Sequence, residues 1–136
     1  MAHPMQVPLC MSHGDFQGGN IWVDQAGKVW IYDWETADRR SVWYDSAVLQ
    51  FSLRRAYGWK TLWSEKRPEA VCACDAETMR TEEEFDAIKA IVFLEDVIFY
   101  LEDMLELPED WGAQIYDEFA KRMWSLFEDC RKDCAK

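Results

Sequence analysis

A chain of 136 residues is the size of one ordinary domain, long enough to enclose a core without disulfides or structural metal. Its formal charge of −11 argues against nucleic-acid and anionic-membrane partners, which require Lys and Arg to neutralise phosphates, and eight Trp in a 49% apolar chain argue against disorder. The same charge is compatible with a nucleotide, because magnesium can stand between carboxylates and phosphates.

Residues 1–11 lack the basic segment and apolar run of a secretory signal. Five cysteines, an odd number, are then expected as reduced thiols in the cytoplasm. A sharper alternative groups Cys72, Cys74, Cys130 and Cys134 around zinc, although neither pair has a usual zinc-site spacing.

Leu9-Cys10-Met11 reads as a short extended run entering a loop, His13-Gly14-Asp15-Phe16-Gln17-Gly18-Gly19-Asn20, whose glycines forbid a regular helix. Ile21–Val23 and Val29–Tyr32 follow as β-rich runs joined by Asp24–Lys28, a hairpin connection with Gly near its end. Asn20 enters the first strand and Asp33 leaves the second, so antiparallel pairing brings them to one end of the ribbon, beside Asp15.

The spacing of Ala47, Val48, Phe51 and Leu53 predicts a helix over 45–56 with an acidic first turn, stopped by Gly58. Residues 59–80 have no sustained period and read as an irregular connection with room for a short helical turn. Thr81 and Glu84 form a capping-box pattern ahead of a long helix to about Leu105. In it Ala87, Ile91, Leu94, Ile98, Leu101 and Leu105 form a stripe expected to be buried, widened by Val92, Phe93, Val97 and Phe99. Glu95, Asp96, Glu102 and Asp103 interrupt this apolar stretch and mark it as a soluble helix. After Leu107-Pro108 a second helix begins at Glu109, with Trp111, Ile115, Phe119, Met123, Leu126 and Cys130 on one stripe, and the two helices should pair antiparallel. The end after Cys130 is expected to fray.

Asp15, Asn20 and Asp33 carry the chemistry. A carboxylate that orients an attacking hydroxyl, a neutral amide oxygen and a second carboxylate are the donors of a magnesium-dependent phosphoryl-transfer site, with Asp15 as base and Asn20 and Asp33 on the metal and nucleotide. His13 is a further candidate acid or base, though fixing the loop backbone is the favoured role. Glu35 could join the metal's outer shell or pair with Arg39 or Arg40. Neither phosphate-binding glycine signature, G-x-x-x-x-G-K-[ST] or G-x-G-x-x-G, occurs.

The run His13-Gly14-Asp15 to Asn20, then Ile31-Tyr32-Asp33-Trp34-Glu35 and Trp43-Tyr44-Asp45, resembles the aminoglycoside phosphotransferase and choline kinase-like family, the aminoglycoside branch more closely. The resemblance implies a catalytic base at Asp15, magnesium and ATP at Asn20 and Asp33, and an organising acidic residue at Asp45. The implied fold is α+β and predominantly helical: a protein kinase-like C-terminal lobe with a catalytic loop, one short hairpin and a helical bundle, 1–136 forming one domain without the nucleotide-clamping lobe. The expected activity is transfer of the ATP γ-phosphate to a small hydroxyl compound, cationic if the acidic surface is functional, by a truncated enzyme. The competing expectation is a non-catalytic scaffold derived from such a lobe. Partners other than substrate would be the missing lobe or a second copy.

Overall fold

The computed structural model describes residues 6–65, 81–106 and 108–134, without the side chains at 109, 110 and 130–134. The elements are β1 (Leu9–Ser12), a 3-10 turn (Gly18–Asn20), β2 (Ile21–Val23), β3 (Val29–Ile31), β4 (Asp38–Ser41), α1 (Tyr44–Gln50), α2 (Gly58–Ser64), α3 (Glu82–Glu106) and α4 (Glu109–Cys134). The described residues are thus α+β and mostly helical, with two two-stranded antiparallel sheets. No described helix is long and apolar enough to cross a membrane.

The expected hairpin is present, with Ile21, Trp22 and Val23 opposite Ile31, Trp30 and Val29. Its turn is tied by Asp24 Oδ1, which accepts from the N–H groups of Ala26 and Lys28 at 2.9 Å each. Gly27 supplies the positive φ of 79°. A second pairing was not foreseen: β1 runs antiparallel to β4, Leu9 opposite Ser41 and Ser12 opposite Asp38. Asp-Arg-Arg-Ser has no β-branched or alternating pattern. It is held as strand by β1 and by Glu95 of α3, whose carboxylate accepts from Ser41 N–H and Oγ at 2.6 Å each.

Three helical expectations change. The first helix ends at Gln50 rather than near Ala56, because Ser52 takes the left-handed conformation (φ 53°) and Leu53 N–H closes onto Val48 O at 3.2 Å, a Schellman-type stop without glycine. Gly58 does not end that helix but opens α2. A Cβ there would lie 2.5 Å from Ser52 O and 2.6 Å from Leu53 Cα, so glycine lets α2 pack against the turn. In α3 the face expected to be buried is rotated: Leu94, Ile98, Leu101 and Leu105 are exposed, Val92 and Phe99 are buried and Ile91, Phe93 and Val97 pack against the core as expected, and Phe85, Ile88, Asp96 and Tyr100 complete the inner face. The helix is apolar on nearly every side, so spacing could not choose its inner face.

The capping box forms in both directions, Glu84 N–H to Thr81 Oγ1 at 3.1 Å and Thr81 N–H to Glu84 Oε2 at 3.0 Å. α4 folds back along α3 across a connection of two residues, as an antiparallel pair must. The core joins Trp43, Tyr44, Val48, Leu53, Trp59 and Leu62 to the inner face of α3. Trp59 lies edge-on to Phe93, Tyr100 and Phe119, tying α2 to both long helices. The cysteine grouping proposed for zinc falls outside the described side chains.

Candidate active site

The loop between β1 and β2 is shaped by Asp45 in the first turn of α1. Its Oδ1 accepts from Ser12 Oγ at 2.7 Å and Gly14 N–H at 3.1 Å, and its Oδ2 from His13 N–H at 2.7 Å. One carboxylate thereby satisfies the donors of a chain segment that forms no ladder of its own. Gly14 has φ 85°, and a Cβ there would lie 2.3 Å from Thr36 O, so the loop passes Thr36 only without a side chain.

His13 is buried and spans the site. Nε2–H donates to Tyr32 O at 2.8 Å, while Nδ1 accepts from Asp15 N–H at 3.3 Å. Both ring nitrogens therefore serve backbone groups, one holding Asp15 and the other the residue before Asp33. Asp33 follows β3 with φ 67°, a left-handed conformation that Asp tolerates better than most side chains. The ribbon end is closed by Tyr32 N–H donating to Asn20 O at 3.2 Å, so Asn20 and Asp33 do leave from the same end.

Asn20 is buried, and its Nδ2 donates to Asp15 O at 2.9 Å and Asp15 Oδ2 at 3.0 Å. With both amide hydrogens committed to Asp15, Oδ1 is left as the acceptor that can face a cation. Asp15 also accepts at Oδ2 from Gln17 Nε2 at 2.8 Å and at Oδ1 from Arg54 Nε at 2.7 Å. A carboxylate offers about four acceptor positions, so one on Oδ1 stays open.

Sequence reasoning missed Arg54 and what stands behind it. The side chain is 11% exposed; Nη1 contacts Asp96 Oδ1 at 2.5 Å, Nη2 donates to Gly14 O at 2.7 Å and to Tyr44 Oη at 3.0 Å, and the guanidinium lies 4.1 Å from the Phe99 ring centroid. Asp96, fully buried, also accepts from Tyr44 Oη at 2.8 Å and Trp59 Nε1 at 2.7 Å. Burial opposes the charge on Arg54, but Tyr44 and Asp96 outweigh it and raise its pKa above the ordinary arginine value. Burial, then the Asp96 charge, pushes the Tyr44 hydroxyl well above its usual range, keeping it a donor. Arg122 of α4 donates to Leu53 O at 2.8 Å and Arg54 O at 3.1 Å, fixing the turn that carries Arg54. The available signal was Asp96 itself, four residues from Val92 and three from Phe99, on a face where a carboxylate needs a buried basic partner.

Glu35 lines an open cleft with Asp38, Glu102, Asp103 and Glu106 around Arg40. Arg40 donates to Thr36 O at 3.0 Å rather than to Glu35. Burial, reinforced by Glu106 and Asp15 against the opposing pull of Arg54, raises the Asp103 carboxyl above its ordinary value.

No curated protein and no solved structure matches the chain. The family model described as the phosphotransferase enzyme family matches residues 2–86, a span that takes in the His13 loop, the hairpin, Asp45 and Arg54. That match covers more than half of the sequence and agrees with the motif resemblance to aminoglycoside phosphotransferases: the chain belongs to the phosphotransferase enzyme family.

Proposed function

We propose that the chain is the catalytic lobe of a small-molecule kinase of protein kinase-like fold, which transfers the γ-phosphoryl group of ATP to a substrate hydroxyl at Asp15, Asn20 and Asp33. The observation that carries this reading is the clamp between Asn20 Nδ2 and Asp15, which holds the base beside an amide oxygen free to face a cation. Asn20 Oδ1 and the Asp33 carboxylate make a hard oxygen set. Magnesium commonly takes one or two protein ligands of this kind and completes its shell with phosphate and water, so these residues fit it. When bound with nucleotide it would offset charge on the phosphates.

In this reading the open position of Asp15 Oδ1 receives the substrate hydroxyl and takes its proton as the new oxygen–phosphorus bond forms and ADP departs with its β–γ bridging oxygen. Arg54, Gln17 and Asn20 hold the carboxylate in place, and His13 positions the loop. The acidic cleft around Glu35 and Asp103 favours a cationic hydroxyl compound as acceptor. The hairpin exposes Trp22 and Trp30, and Trp34 beside Asp33 is exposed as well, a surface suited to a nucleotide-clamping unit supplied from elsewhere.

Calorimetric titration with ATP and a non-hydrolysable analogue, with and without magnesium, tests the proposal. Magnesium-dependent binding that is lost in Asn20→Ala and Asp33→Ala supports it. Binding that ignores magnesium or survives both substitutions rejects it.

A further inference from the structure

The two long helices leave a second surface that the phosphoryl-transfer reading does not use. On α3, Leu94, Ile98, Leu101 and Leu105 are 43% to 86% exposed and, at 100° per residue, fall within about 60° of one another. On α4, Tyr116, Met123, Trp124 and Phe127 are 38% to 63% exposed on an arc of roughly 100°. α3 meets the core through Val92, Asp96 and Phe99, on the side opposite its stripe, and α4 through Phe119 and Arg122, which face Tyr100 and Trp59. Both stripes therefore look away from the α1–α2 layer and form one apolar face of two helices.

We infer that this face is the interface for a second copy of the chain, two antiparallel helix pairs closing a four-helix bundle. Area is the first argument. At ~200 Å² for an aromatic and ~100 Å² for an aliphatic side chain, the eight residues expose on the order of 600 Å². That lies at the upper end of the ~300–600 Å² patch of a typical monomer, and with a polar rim approaches the ~800 Å² per partner of a stable interface. Chemistry is the second. No charge interrupts either stripe, and the α4 stripe is flanked by Asp117 and Lys121, which are paired with each other. Antiparallel packing of α4 on its copy about Ala120 pairs Tyr116 with Trp124 and brings the Asp117 and Lys121 side chains of the two copies together, so the rim as well as the apolar centre is self-complementary.

Sedimentation velocity of the full chain from 1 to 100 µM at 150 mM salt tests the inference, with Ile98→Gln and Phe127→Gln on the proposed face and Trp22→Gln on the exposed hairpin. Ile98 and Phe127 are solvent-exposed positions where Gln favours helix, and Trp22 is exposed on β2, so circular dichroism should show all three folded. The expected result is a dimer of the 16.1 kDa chain whose dissociation constant rises at least about tenfold in Ile98→Gln and in Phe127→Gln but not in Trp22→Gln. A chain monomeric at 100 µM, or a dimer weakened only by Trp22→Gln, would overturn it.

Discussion

Arg54→Met tests the buried network behind Asp15 most sharply, because methionine keeps much of the stem over Phe99 and removes only the guanidinium. The substitution leaves Asp96 fully buried with two donors, Tyr44 Oη and Trp59 Nε1, in place of three. It also removes the Nε contact to Asp15 and leaves Gly14 O without its arginine. Removing one member of a buried ion pair costs about 3–5 kcal/mol. The two surviving donors to Asp96 place the expected loss at the lower end, about 3 kcal/mol, a large share of the ~5–15 kcal/mol that holds an ordinary domain together. Asp96→Asn should cost less, because Arg54 loses its buried partner but keeps the ion pair with Asp15 Oδ1 at 2.7 Å. The double variant Arg54→Met/Asp96→Asn should be less damaging than the two losses combined, by about 2 kcal/mol, since Arg54→Met alone leaves the Asp96 charge uncompensated and the second change removes that charge. Urea denaturation followed by Trp fluorescence measures all four proteins. Additivity within about 0.5 kcal/mol, or a loss below about 1 kcal/mol for Arg54→Met, would refute the network as drawn.

Asp45→Ala should destabilise by about 3 kcal/mol, because Ser12 Oγ and the His13 and Gly14 amides lose one charged acceptor, and the Gly14 amide should exchange faster by NMR. Gly14→Ala should cost at least about 2 kcal/mol in the same unfolding assay, since it combines a positive φ with a Cβ placed against Thr36 O. Asp103→Asn should raise the thermal midpoint at pH 7. The folded-state pKa of Asp103 lies above the unfolded value, so folding disfavours the ionised carboxylate, and the gain should fade as pH falls through the raised folded-state pKa toward 3.8 and be absent below it, where both states are protonated.

The parts of the fold with local signals were legible. The hairpin announces itself through two β-branched runs and a Gly-bearing turn, the capping box through Thr81 and Glu84, and the departure of Asn20 and Asp33 from one end of the ribbon follows from strand pairing alone. What escaped is set by tertiary contact. β4 has no strand propensity and needs β1 and Glu95 to form. The stop of α1 uses a left-handed Ser52 where glycine would be the expected residue. α3 carries apolar side chains on nearly every face, so spacing finds Val92 and Phe99 but cannot separate them from the exposed Leu94, Ile98, Leu101 and Leu105, and the side bearing Asp96 is the one that packs. The same contact rule hid Arg54 and Arg122: their importance lies in carbonyls and carboxylates that only the folded chain brings near them.

Asp15, Asn20 and Asp33 are proposed to form one cation and nucleotide site. Paramagnetic line broadening by manganese with ATP, read from the assigned amide resonances of the chain, measures it most directly. The expected result is distance-dependent broadening centred on Asn20 and Asp33, extending to Asp15 and His13, and abolished by Asn20→Ala with Asp33→Ala. Broadening centred instead on the acidic ends of α3, at Glu82–Glu84 or Glu102–Glu106, with the loop resonances unaffected, would contradict it.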